Sequence, residues 1–162
     1  MLANLAFERD AYRRPSILRW ATKMNYQIAI AGCITLLAFF AHTFVGIREA
    51  LSTAPAKLTE KENVANFEVV ERNWVQSICA FQMVTIDLLA LSVLLFLLAF
   101  TDILGSKKLL ALGLAAFYFL WGIAWLLQLL FLKRRTKDFL LLSQWLFWFV
   151  CAGLIYWGAQ SL

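Results

Sequence analysis

Apolar residues gather in four long runs, 26–47, 74–100, 109–132 and 139–159, and charged groups concentrate between them. A helix needs about 20 apolar residues to cross the hydrocarbon of a bilayer, with every backbone polar group bonded internally. All four runs meet that length, and none holds a proline. Each is therefore predicted as an unbroken helix. A β-barrel would need segments of about 10 residues in strict alternation, and the chain has none. The pattern predicts an all-α, integral membrane four-helix bundle over 25–162, its two ends on the same face. The second connection, around Asp102 to Ser106, is a tight turn with Gly105 as a helix C-cap, and the third, 133–138, is also short. Short links predict antiparallel neighbours that pair 1–2, 2–3 and 3–4.

The remaining segments read as surface structure. Residues 1–24 are basic and polar, without the apolar core of a signal peptide. They are expected to lie along the membrane surface and to be retained. The long connection, 48–73, carries five glutamates. Thr59 and Glu62 form a capping pattern, and a short surface helix is expected through Val64, Phe67 and Val70.

Composition sharpens the membrane reading. Of 162 residues, 62% are hydrophobic and 15% charged, well under the quarter or so usual in soluble domains. The net charge of +5 comes from clusters at helix ends, including Arg13, Arg14, Arg19, Lys133, Arg134 and Arg135. Such clusters anchor helices to lipid headgroups, and nothing in them points to nucleic acid. One face carries seven Lys/Arg and the other eight, so charge does not orient the chain. Cys33, Cys79 and Cys151 have no ligand spacing for a metal and are expected to pack as small apolar residues. Ala111 with Ala115, and Ala29 with Cys33, have the small-xxx-small spacing of close helix contacts.

Polar residues inside the runs are the candidates for function. His42, Gln82, Gln128 and Gln144 fall at similar distances from four helix ends, roughly 8–12 Å below one face. They are expected to form an inward polar layer, either as hydrogen-bonded register or as a pocket opening toward the long connection. Asp87 lies near mid-membrane with no basic residue at its depth. It is expected either to bond an internal donor such as Trp121 or, the preferred reading, to meet a neighbouring subunit on the outer surface.

Short patterns carry a resemblance. Ala41-His42-Thr43-Phe44-Val45-Gly46 with Glu49, Phe81-Gln82-Met83-Val84-Thr85, and Ser143-Gln144-Trp145 resemble an uncharacterised family of small bacterial four-helix membrane proteins. In that family the first helix ends H-[ST]-[YF]-x-G-E, the second carries W-H-x-[TS], and the fourth starts near Q-W. Gln82 stands where the family has its second histidine. The resemblance implies the fold and carries no activity.

The chain has no nucleophile–base pair, metal cluster or phosphate loop. The leading expectation is a non-catalytic, multi-pass membrane subunit that packs against partner subunits or lipids, with no cofactor required. One alternative is a small transporter or proton-conducting component using Asp87 and His42. The other is a quinone-, haem- or pigment-binding bundle built on the His42 layer.

Overall fold

A computed structural model describes residues 24–55, 66–132 and 136–162. The basic N-terminal segment, the capping pattern at 59–62, and Arg13, Arg14, Arg19, Lys133, Arg134 and Arg135 lie outside them. The described residues are all-helical. Helix α1 (Tyr26–Ala41) runs through one π turn (His42–Gly46) into α2 (Ile47–Ser52). After the long connection come α3 (Phe67–Phe100), α4 (Lys107–Phe131), the short α5 (Thr136–Leu141) and α6 (Gln144–Ala159). Three helical spans, Tyr26–Ser52, Phe67–Phe100 and Lys107–Phe131, are long and apolar enough to cross a membrane. Only 22% to 33% of the most apolar window of each is buried. The outer surface is correspondingly apolar, with Leu37, Met83, Ile86, Leu120 and Leu130 all exposed. An apolar exterior of this extent suits lipid, since monomers in water keep such patches small.

The helices differ from the expected pattern in three places. First, 67–73 is not a separate surface helix but the opening of α3, which runs 34 residues, or about 50 Å. No glycine or proline interrupts it, and Asn66 turns into it with a left-handed φ of 69°, a conformation asparagine tolerates. Secondly, the expected helix 139–159 breaks at Leu142 and Ser143. The indole of Trp125 donates to the Leu142 carbonyl at 3.2 Å and that of Trp145 to the Phe139 carbonyl at 2.9 Å. These bonds satisfy carbonyls that the break leaves open. The remaining apolar helix, α6, has 16 residues. Thirdly, Gly105 does not cap α3. That helix ends at Thr101, whose extended backbone stops it and whose N–H and hydroxyl both donate to the Leu97 carbonyl.

Packing also departs from expectation. Helix α1 packs on α3 and on α6, and α6 packs on α4, but α3 and α4 barely touch despite their short link. Six extended residues reach about 20 Å, twice the 8–10 Å between packed helices. A short link therefore does not force adjacency.

The core lies toward the start of α1 and the end of α6. Small residues meet there: Ala31 and Gly32 from α1, Ala99 from α3, Ala111 and Ala115 from α4, Ala152 and Ala159 from α6. They let backbones approach closely, as association in lipid favours. The Ala111/Ala115 pair is buried as its spacing suggests, whereas Cys33 is exposed and Ala29 only half-buried. The contact face of α1 runs instead through Ile28, Ala31, Gly32 and Thr35. Of the cysteines, Cys151 packs in the core, while Cys33 and Cys79 face outward. Helical phase decides this: Ile28, Ala31 and Thr35 repeat at 3–4 residue steps, and position 33 falls between them.

Buried Asn25 fastens this end. Its side-chain oxygen accepts from the Ile28 N–H at 3.1 Å and so caps α1. Its amide donates to the Gly158 carbonyl at 2.8 Å and to the Ser161 hydroxyl at 3.1 Å. Its own N–H donates to the Ala99 carbonyl at 3.2 Å. One residue thus ties together the start of α1, the end of α3 and the end of α6.

Candidate functional site

At the opposite end the helices part. A cleft of about 870 Å³ opens there, lined by residues from every long helix. The π turn and α2 form one side, α3 contributes Ala80, Phe81, Val84 and Leu88, and Trp121, Trp125, Phe147 and Trp148 supply an aromatic wall. Trp121 and Trp148 stack at 5.3 Å, and Trp148 meets Tyr118 edge-on at 5.2 Å. Polar groups cluster toward the mouth: Glu49 and Thr53 from the first span, Ser77 from α3, Ser143 and Gln144 before and at the start of α6. From Ala38 to Thr53 the cleft extends over fifteen residues of one span, roughly 22 Å. It is polar outside, aromatic and aliphatic within.

His42 stands one turn above the inner end. Its position follows from the backbone: the chain winds into a π turn there, with the Ile47 N–H reaching back five residues to the His42 carbonyl. Such single wide turns often sit at functional sites because they re-aim side chains. The ring's Nδ1 lies 2.8 Å from the hydroxyl of buried Thr85, and its face stacks on Phe81 at 3.6 Å with planes 11° apart. Gly46 makes room for that stack. A Cβ on Gly46 would lie 2.7 Å from the Phe81 ring, so a larger residue would push the ring off His42. The Trp74 indole, donating to the Ala50 carbonyl at 3.3 Å, holds α2 against α3 beside the mouth.

The structure brings only part of the expected polar layer together. His42 and Gln144 line the cleft; Gln82 and Gln128 do not, and both are exposed on the outside of the bundle. The inward face of α3 runs through Phe81, Thr85, Leu88, Ser92 and Leu95. At 100° per residue Gln82 lies roughly 100° round from its centre, which points the amide away from the cleft. Equal depth put these four residues at one level, but helical phase sent two of them outward. The partner His42 takes is Thr85, one turn further along α3.

Asp87 is exposed on the outer side of α3, without a hydrogen bond or ion pair among the described residues. The internal donor considered for it, Trp121, lines the cleft on the other side of the helix, and Trp125 donates to Leu142.

Two features, one at each end of the bundle, carry weaker sequence signals. The aromatic wall is a set of tryptophans whose shared face appears only once α4 and α6 are paired. Asn25, immediately before the first apolar run, has the position of an N-cap, and that signal was readable. No family model, no curated protein and no solved structure matches the chain.

Proposed function

We propose that the chain is a membrane protein crossing the bilayer four times, whose cleft holds an amphipathic small molecule drawn from the membrane. The observation that carries this reading is the cleft itself. Its volume falls in the roughly 300–1,000 Å³ range of small-molecule sites, and its polarity is graded from Glu49, Ser77 and Gln144 at the mouth to Leu88, Trp121 and Trp148 inside. An apolar body fits the inner part and a polar group the outer. In this reading α5 and α6 together complete the fourth crossing, because 16 helical residues span only about 24 Å of a roughly 30 Å core. Three tryptophans in the wall supply the test. In nanodiscs of unbrominated lipid, a brominated long-chain amphiphile should quench tryptophan fluorescence saturably at about one per protein. Val84→Phe, which sets a ring into the inner part of the cleft, should weaken the saturable part. Quenching that is linear in added ligand, and equal in Val84→Phe, would end the proposal.

A second reading, of a subunit in a larger membrane assembly, is favoured by Asp87. A carboxylate facing lipid costs about 2.5–3.5 kcal/mol on insertion scales. A neighbouring helix offering a basic group or hydrogen-bond donor would offset that cost. The relay reading through Asp87 and His42 gains no such support, since the two point to different sides of α3.

A further inference from the structure

The hydrogen-bond chain at His42 bears on which ring nitrogen is free, and so on the chemistry the cleft asks of its occupant. The Thr85 hydroxyl has one proton. It lies 3.1 Å from the Phe81 carbonyl, four residues back on the same helix, and 2.8 Å from His42 Nδ1. The hydroxyl of a helical threonine donates to the carbonyl four residues back, and with the Thr85 proton placed there the ring donates the shorter contact as Nδ1–H. A parallel arrangement occurs in the core: the Thr35 hydroxyl donates to the Ala31 carbonyl at 2.8 Å and lies 2.9 Å from the Tyr118 phenol. With Nδ1 holding the proton, Nε2 of the neutral imidazole is a bare lone pair. Among the described residues Nε2 has no protein partner, and no buried polar side-chain atom is sealed off without one. It therefore meets open space, and His42 is part of the cleft wall.

We infer that the occupant of the cleft, on the reading proposed above, presents a hydrogen-bond donor to His42 Nε2: a hydroxyl or an un-ionised acid on an apolar body. An occupant with acceptors only, such as a quinone or an ether, leaves the lone pair unmet. Thr85 is a positioning residue here, since it holds the tautomer and touches no ligand.

The test compares matched ligands on the whole protein. A brominated long-chain alcohol, its methyl ether, and a hydroquinone with its quinone are titrated by tryptophan quenching in nanodiscs. The alcohol should bind about three- to tenfold more tightly than the ether, the ratio one neutral hydrogen bond gives. Comparing hydroquinone with alcohol then separates an aromatic body from an aliphatic one. The preference for the donor should vanish in His42→Phe and shrink in Thr85→Val, which leaves the ring in place but frees its tautomer. Nitrogen-15 NMR of histidine-labelled protein, which holds one histidine, should report Nδ1–H and a bare Nε2. Equal binding of alcohol and ether overturns this inference and leaves the cleft reading standing, as does a spectrum with the proton on Nε2 or on both nitrogens. Failure of every ligand to bind saturably sinks both. Tight uptake of a metalloporphyrin through His42 in preference to any alcohol also overturns it, because the lone pair would then serve a metal.

Discussion

The two ends of the bundle are built from the same helices and solve opposite problems. At the closed end alanine and glycine bring backbones together, and Asn25 spends its side-chain oxygen, its amide and its backbone N–H on three helix ends. At the open end phenylalanine and tryptophan rings stand where the small residues would be, and His42 commits only one of its two nitrogens. Side-chain volume decides whether helices in lipid meet or part, because no hydrophobic force beyond packing draws them together there. A base that is tightly bonded allows the other end to stay open without the bundle falling apart.

The sharpest break of this comparison is at Asn25. Asn25→Ala removes the cap, worth about 1 kcal/mol, and two buried donor contacts. A loss of about 2–3 kcal/mol is expected in unfolding by sodium dodecyl sulfate in mixed micelles. Asn25→Asp keeps the cap but sets a carboxylate oxygen against the buried Gly158 carbonyl, so it should not recover the loss. His42→Ala gives up one interhelical bond, about 0.6 kcal/mol on average, and the ring stack with it. If His42→Ala destabilises more than Asn25→Ala, the division into a load-carrying end and an open end is wrong.

Glycine substitutions should follow. A Cβ on Gly158 would sit 2.6 Å from Ile28 Cγ1 and 2.7 Å from Asn25 Oδ1, so it strikes the clamp itself. Gly158→Ala is expected to cost about 1–3 kcal/mol through overpacking. Gly153, on the same helix, faces nothing within 4 Å. Gly153→Ala should be neutral or slightly stabilising, since alanine is the better helix former by up to about 1 kcal/mol. Thermal unfolding of both variants in one detergent reads the contrast.

The helices themselves were legible in the sequence, because apolar runs without proline leave the backbone no other way to bond itself. Their partners were less so. Link length suggested that α3 and α4 pair, yet contact was decided by what faced what, and α1 and α6 take the faces that the two helices would have offered each other. The candidate site was half legible for a related reason. Counting from helix ends gives depth, which grouped His42 with Gln144, and both line the cleft, but depth carries no information about phase. Phase placed Gln82 and Gln128 outside and put Thr85 opposite His42. The break at Leu142 was invisible because the indole bonds that satisfy it come from elsewhere in the fold.

A smaller effect sits between the two ends. Tyr118 is fully buried and bridges α4 to α1 through Thr35. Tyr118→Phe removes the bond but leaves Thr35 donating to the Ala31 carbonyl, so no polar group is orphaned. The expected cost is about 0.5–1 kcal/mol, read in the same detergent unfolding assay. A cost above that of Asn25→Ala would move the bundle's strongest polar tie from the closed end to the middle.

The smallest effect on the bundle's own stability is expected at Asp87, which touches neither end. Its carboxylate makes no bond among the described residues, so removing it breaks nothing inside the chain. Its neighbours along the outer surface of α3, Met83, Ile86 and Ala90, are exposed as well. Asp87→Leu should therefore leave unfolding of the isolated protein unchanged, or raise stability by relieving the cost of a carboxylate in lipid. The consequence should appear in association instead. Asn keeps an acceptor and a similar shape, so Asp87→Asn should still meet a donor on a neighbouring helix. Leu offers neither, so Asp87→Leu should loosen assembly on native gels of mildly solubilised membranes. A destabilised monomer would mean that Asp87 has an internal role. Unchanged assembly in both variants, together with a lost proton or ion flux in vesicles, would favour the transport reading over the subunit one.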